Sequence, residues 1–437
     1  MNLLHVIPYY APAWAYGGSV RAATDLTRAL VQAGHRVTVL TTDTLSPTAR
    51  APVLRETLDG VEVVRVRNLS NALRGRLNLS TPRGLAAVAR TLIAERQIDL
   101  VHCHELRAVE TLRVAPVAKA LDVPVVVSPH GTLPTNTGRA TFKRAWDRLP
   151  GRRLLPYFDA VIALTRDEAA DARALWAARG IDIPIHIVPN GVHLDEFAAL
   201  PPKEAARARW NLGEGPVVLF LGRLHARKGL QVLLPAFAGA LEQVPDARLL
   251  IVGPDEGMLA ALQAQARALG LAGGSDTNSD RDNDALVGAG FKTRPYNDPA
   301  KCPPVPNAAS GGARALFTGL LTGPDRLAAL AAADLFALPA EGEGFSMAVL
   351  EALACGLPVL LTPGCHFSEA AEAEAGVVVP REVEALRAAL VALLSDSDRR
   401  AAMGRSARAL VEARYTWPQI VAQMEAAYAA VITRKRR

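Results

Sequence analysis

Short runs of β-branched and aliphatic residues recur from one end of the chain to the other, and a helical stretch separates almost every consecutive pair. In the first half they fall at residues 3–8, in VTVLTT from Val37, at 61–66, 100–104, 123–128 and 160–164, and in IHIVP from Ile185. In the second half they fall at 217–222, 247–253, 315–318, 335–339 and 359–362. Strands that are continuously apolar and alternate with helices are the pattern of parallel sheets covered on both faces. The spacing therefore predicts α/β architecture twice over, without a visible sequence repeat.

A chain of 437 residues, 50% hydrophobic and 21% charged, is long enough for two cores. Residues 198–215 contain Pro201-Pro202 and an alanine, arginine and lysine run, which reads as the linker between two domains. Residues 272–313 are rich in Gly, Pro, Asn, Asp and Ser and show neither apolar period, so a mobile surface insertion is expected there. After Tyr415-Thr416-Trp417-Pro418, a final helix over 419–433 and a solvated RKRR end are expected.

Several function classes drop out. The four cysteines are scattered without C-x-x-C spacing, so neither a disulfide framework nor a structural zinc site is indicated, and a reducing cytoplasm fits. The N-terminus has no basic region before an apolar stretch, and no apolar run approaches the roughly 20 residues that span a bilayer. The +6 formal charge favours anionic partners. No nucleic-acid motif accompanies it. The first βα loop lacks G-x-G-x-x-G, and the basic segment after Gly222 lacks P-loop spacing, which removes the main support for an NAD enzyme or an ATPase.

The strongest local signal is LPAEGEGFSMAVLEALACGLPV. A strand ends, Glu343 leads into Gly344, Phe345 and Ser346, a helix begins with Ser346 as N-cap, and Glu351 follows eight positions after Glu343. Ligands of open α/β sheets lie beyond the carboxyl ends of strands, and a helix N-terminus offers free N–H groups to anions. Glu351 then falls between one and two turns into the helix, able to accept hydrogen bonds from sugar or ribose hydroxyls. Taken alone, the segment would read as a loop glutamate and a helix-face glutamate. The strand VVLFLG adds Arg223 and Lys228 just beyond its end, a planar fork and a mobile point charge suited to a diphosphate. In the first half, PHGT places His130 after a strand, and Gly17-Gly18 lies in the first βα loop, where missing Cβ atoms allow close approach to a ligand.

Together these segments resemble the large retaining glycosyltransferase family called family 4, or glycosyl transferase group 1, of GT-B fold. The resemblance rests on the joint order of a GG-containing first loop, PHGT, PNGV, GRL-x-x-x-KG and the Glu343/Glu351 pair, and spans nearly the whole chain. It implies two Rossmann-like, doubly wound parallel-sheet domains facing across a cleft. An acceptor-side domain would cover 1–200, with 416–437 packing back on it, and a nucleotide-sugar domain 201–415. By the same resemblance Arg223 and Lys228 contact the donor diphosphate, Glu343 the transferred sugar and Glu351 the ribose. The amides around Gly344, Phe345 and Ser346 meet sugar and phosphate, His130 sits over the sugar, Gly17-Gly18 lie near the phosphates, and Asn190 of PNGV is on the donor side.

The implied activity is retaining, metal-independent transfer of a hexosyl unit from a UDP- or GDP-linked sugar to a glycan or lipid-linked acceptor, in cell-surface polysaccharide biosynthesis. No cofactor and no metal is expected. Ala340 and His193 depart from the family pattern and carry no role, and the segment from Ala272 has no counterpart in it. Two other classes remain open to the sequence: a non-catalytic GT-B scaffold, against which the full set of two cations and two carboxylates argues, and a metal-dependent hydrolase. The latter would use His102 and His104, an H-x-H at a strand end for which no third ligand stands at an obvious spacing. Finally, residues 139–153 carry six basic residues against one Asp. This is a candidate for peripheral contact with the anionic inner face of the membrane, although packing of its apolar stripe on its own domain fits equally well.

Overall fold

The computed structural model describes residues 1–16, 18–46, 48–71, 73, 79–134, 140–148, 150–272 and 312–436. The chain forms two compact units, Met1–Gly191 with Tyr415–Arg437, and Val192–Arg414. The boundary thus falls at 191/192 rather than 200/201. Most of the expected insertion, residues 273–311, lies outside the described residues, as does Gly17.

Unit 1 is an eight-stranded sheet: β1 Asn2–Val6, β2 Arg36–Thr42, β3 Arg55–Leu58, β4 Val61–Val66, β5 Leu100–His104, β6 Val125–Ser128, β7 Ala160–Ala163 and β8 Ile185–Ile187. Their order is β3-β4-β2-β1-β5-β6-β7-β8. Every pairing is parallel except β3 with β4. The edge strand β3 escaped the sequence reading because RETL is largely polar, and only its pairing makes it a strand.

Both faces of this sheet are buried. On one, Leu92, Val114 and Trp176 come from helices Leu85–Glu95, Val109–Ala120 and Arg166–Ala177. On the other, Leu26 and Leu30 of helix Gly18–Gln32 meet Ile420, Val421, Met424, Tyr428 and Val431 of helix Trp417–Arg436. Those last positions repeat every three to four residues, so one helical face is spent on the sheet. The chain leaves unit 1 through Gly191, where an added Cβ would lie 2.7 Å from the Trp417 ring. Of the basic residues at the C-terminus, Arg434 is exposed as expected, while Lys435 Nζ reaches Asp122 at 3.1 Å.

The basic segment near 139–153 forms helices Ala140–Arg148 and Pro150–Leu154. Trp146 and Leu154 are buried, and Asp147 takes both forks of the Arg107 guanidinium at 2.7 and 2.9 Å. The described apolar positions therefore pack on unit 1 itself. The Leu149 position and the Phe142 side chain lie outside what is described.

Unit 2 is a six-stranded, all-parallel sheet of β9 Val217–Leu221, β10 Arg248–Val252, β11 Ala315–Gly319, β12 Leu335–Leu338, β13 Val359–Leu361 and β14 Gly376–Val378, in the order β11-β10-β9-β12-β13-β14. The three-residue β14 was not foreseen. Nor is 198–215 a linker. It contains helix Lys203–Ala208, buries Ala206, Trp210 and Leu212, and pairs Lys203 and Arg207 with Asp334 at 2.5 Å each. A basic composition misled because the counter-charge sits far away in sequence.

Both sheets reverse their winding, between β1 and β5 in unit 1 and between β9 and β12 in unit 2. Beyond the carboxyl ends of strands at such a reversal, successive loops diverge and leave room for a ligand. Among the described residues no helix is long and apolar enough to cross a membrane.

Candidate active site

In unit 2 the loops that follow β9 and β12 meet at that reversal. After β9 the backbone turns through the short 3₁₀ segment Ala226–Lys228 into Gly229, which is left-handed at φ 83°. An added Cβ at Gly229 would sit 2.0 Å from the carbonyl oxygen of Pro339, immediately after β12. Only glycine combines that dihedral with that approach. Further ties join the two loops: Glu341 N–H donates to Arg227 O at 2.8 Å, and the Arg227 guanidinium donates to Gly342 O. Arg381 donates from Nε to Pro339 O at 3.0 Å and from Nη2 to Ala226 O at 3.1 Å.

This bracing carries Lys228 to Glu343. The Nζ to Oε2 distance is 2.7 Å, and the side chains are 13% and 16% exposed. Replacing Gly229 with alanine is expected to cost about 3 kcal/mol, combining the left-handed penalty with overpacking. Chemical denaturation of the variant checks it, and a loss below about 1 kcal/mol would contradict the bracing role.

Ser346 is the residue before helix Met347–Ala354 and is buried, but its side chain makes no capping hydrogen bond. The positive end of the helix is therefore not closed by its own N-cap side chain. Phe345 packs on Phe367, with ring centroids 5.4 Å apart. Glu351 is buried one turn in and forms an ion pair with Arg326, which also reaches Glu196 at 3.4 Å. Arg326 is a partner the sequence reading missed, since no motif marks it. Arg223 stands apart from Lys228: it is 59% exposed and bound to Glu256 at 2.7 Å. Of the four charged residues singled out, the structure joins Lys228 with Glu343 and gives Arg223 and Glu351 other partners. A cavity of about 160 Å³ lined by Trp210, Arg248 and Arg314 lies at the opposite, amino-terminal strand ends and shares none of these residues.

In unit 1, His130 follows β6 with φ 55° and Gly131 with φ 70°. Glu168 holds this left-handed corner by accepting from Gly131 N–H at 2.5 Å and Leu164 N–H at 2.8 Å. His130 and Asn190 line one small cavity together with Ala22, Ser128 and Trp417. His130 also lines a second cavity with Ser19, which follows Gly18 at the start of helix Gly18–Gln32. No atom lies within 4 Å of a Cβ placed on Gly18, so packing alone does not demand glycine there.

Sheet register supplies the third histidine that the H-x-H motif lacked. His5 of β1 stands opposite His102 of β5, and ligand atoms of His5, His102 and His104 lie within 4.8 Å of one another. These nitrogens are largely committed elsewhere. His102 meets Tyr428 Oη at 2.6 Å and Ser128 Oγ at 2.8 Å, and His104 uses both nitrogens on His5 and His130. Burial pushes His102 and His104 well below the usual imidazole range, His5 to about 3 and His130 to about 4. The group is a neutral hydrogen-bonded set.

Known proteins resemble the chain over nearly its whole length. The model of Glycosyltransferase Family 4 matches residues 16–196, and two models of Glycosyl transferases group 1 match 202–277 and 285–396. Residues 285–313 thus fall in a matched range, although the sequence reading gave that segment no counterpart. A D-inositol 3-phosphate glycosyltransferase of Xylanimonas cellulosilytica is 30% identical, with 100% of this chain and 97% of the relative covered. A phosphatidyl-myo-inositol mannosyltransferase of Mycolicibacterium smegmatis is 27% identical over 95% and 90%. Among solved structures, Anabaena HepE in complex with UDP and glucose superposes with a TM-score of 0.69 at 17% identity, covering 98% of this chain and all of that one. Sucrose-phosphate synthase from Thermosynechococcus elongatus gives 0.69 at 20%, over 99% and 100%. With two α/β units built on parallel sheets and relatives matched end to end, the chain belongs to the GT-B glycosyltransferases of family 4, group 1.

Proposed function

We propose that this glycosyltransferase moves a hexosyl unit from a UDP- or GDP-linked sugar to a glycan or lipid-linked acceptor, with retention at the anomeric carbon and without a metal. The observation that carries the reading is the Lys228–Glu343 pair, braced by Gly229 at the winding reversal of unit 2 and followed by an uncapped helix start. In the reaction the bond from the anomeric carbon to the diphosphate oxygen breaks and its electron pair stays on the diphosphate. The acceptor oxygen bonds the anomeric carbon on the same face, and its proton passes to a phosphate oxygen. The negative charge that develops on the leaving group is the main thing to be stabilised.

Lys228, Arg223 and the amides of Gly344, Phe345 and Ser346 are assigned to that charge. Glu343 takes sugar hydroxyls and Glu351 the ribose, while His130, Asn190 and the Gly17-Gly18 loop complete the donor side. Lys228 holds the Glu343 carboxylate, so diphosphate binding exchanges one anion for another at Lys228 rather than burying a bare cation. A metal-free site requires Lys228 and Arg223 to leave Glu343 and Glu256 for the diphosphate, with the amides supplying the rest. Similar proteins support the substrate classes: the HepE structure holds UDP and glucose, and a Corynebacterium glutamicum relative is a GDP-mannose-dependent mannosyltransferase. Relatives named for inositol phosphate and phosphatidyl-inositol acceptors fit a hydroxyl on a phosphorylated or lipid-linked polyol. A cytoplasmic setting with peripheral contact at the inner membrane face would bring a lipid-linked acceptor within reach.

A thermal-shift screen against UDP, GDP, ADP, TDP and their sugar conjugates, with and without EDTA, tests the reading. At about 100 times its dissociation constant a true ligand adds roughly 2.7 kcal/mol. One nucleotide family is expected to raise the melting temperature regardless of EDTA. A shift that needs a divalent metal would overturn the metal-free assignment, and no shift with any nucleotide would overturn the donor site.

A further inference from the structure

The four neighbouring histidines of unit 1 are connected in a way that fixes where their hydrogens lie. His5 Nδ1 contacts His104 Nε2 at 3.0 Å, and His104 Nδ1 contacts His130 Nε2 at 2.8 Å. A neutral imidazole has one N–H and one lone pair, so His104, bonded through both nitrogens to other histidines, must donate to one and accept from the other. Only two hydrogen placements satisfy the chain. In one, His5 donates to His104, His104 donates to His130, and the free His130 Nδ1 keeps its hydrogen. In the other, every bond runs backwards and His5 Nε2 must carry the hydrogen. That His5 nitrogen is buried and has no partner among the described residues. A buried N–H without an acceptor is the rarer and more costly defect, so the first placement prevails.

We propose that His104 is a positioning residue which, backed by His5, locks His130 as the Nδ1–H tautomer and so presents a neutral hydrogen-bond donor to an oxygen lone pair of the donor sugar or its phosphate. This rests on the assignment of His130 to the donor site. The device selects for an acceptor atom on the substrate without placing a cation beside the anomeric centre, where positive charge develops. His102 takes no part in the relay, being anchored by Tyr428 and Ser128, but it stacks beneath His104 with ring centroids 4.2 Å apart and holds that ring in place.

The test is nitrogen-15 NMR of the full chain labelled at histidine, with the His130 signals assigned from His130→Gln. At pH 7 the wild type is expected to show His130 protonated at Nδ1 and bare at Nε2. His104→Leu should release the ring into mixed tautomers and lower kcat/KM roughly tenfold, the scale of one lost hydrogen bond. His104→Asn, which keeps an amide nitrogen near the Nδ1 position, should restore both the tautomer and most of the rate. A wild-type His130 protonated at Nε2, or an unchanged tautomer in His104→Leu, overturns the proposal. So does stoichiometric movement of the His5, His102 and His104 nitrogens on adding zinc, because the rings would then be ligands. The NMR result needs no substrate, so a locked tautomer in a protein that binds no nucleotide would refute the donor-site reading while leaving the relay intact.

Discussion

Lys228→Ala is expected to lower turnover by 10² to 10³, with the melting temperature of the unliganded protein changed far less. One preorganised charge contact to a leaving group is commonly worth about 2.7–4 kcal/mol in the transition state. The loss should appear in kcat more than in donor KM if the contact strengthens as the diphosphate departs. Arg223→Ala is expected to cost on the order of 10², and it is the sharper test, because Arg223 is exposed on Glu256 and must swing away to engage a ligand. Steady-state rates on the nucleotide sugar identified by the thermal screen measure both. Near-normal turnover in the two variants would sink the phosphate assignment.

The largest stability effect is expected at Arg107, which belongs to no motif but bonds the carbonyl of Thr132 at the end of PHGT. Its guanidinium bonds both oxygens of Asp147 and the carbonyls of Thr132 and Leu133, with side-chain exposures of 7% and 13% for the ion pair. Arg107→Leu leaves a largely enclosed carboxylate and two carbonyls without their donor, which should cost roughly 3–5 kcal/mol. For a unit of this size that lowers the melting temperature of unit 1 by roughly 10 °C. Calorimetry resolves it, since the transition stabilised by nucleotide should move little while the other falls. A shift under 2 °C would show that Asp147 finds another partner.

Much of the architecture was legible because continuously apolar strands alternating with helices leave few folding options. The strands that escaped are those whose signal is not hydrophobic: β3 is charged and β14 is three residues long. The segment 198–215 was misread for a related reason, as its basic residues look like a solvated tether until Asp334 is seen beside them. At the candidate site, residues within one motif were readable, whereas those that act through a distant neighbour were not. Arg326 reaches Glu351 from another helix, and His5 joins His102 only because β1 lies next to β5 in the sheet. Local spacing carries no record of strand order, so tertiary partners of this kind are invisible until the sheet is assembled.

The return of helix Trp417–Arg436 to unit 1 bears on how the protein is made. Synthesis is vectorial, at about 5–20 residues per second, and domains generally fold as they emerge. Unit 2, whose residues are contiguous, has its whole sequence before the ribosome reaches Tyr415. The first-made unit must instead wait tens of seconds, at that rate, for the helix that covers Leu26, Leu30 and the adjacent sheet face. During that interval a nascent chain carries an uncovered apolar sheet, the kind of surface that chaperones shield. Truncation before residue 415 would make that transient exposure permanent.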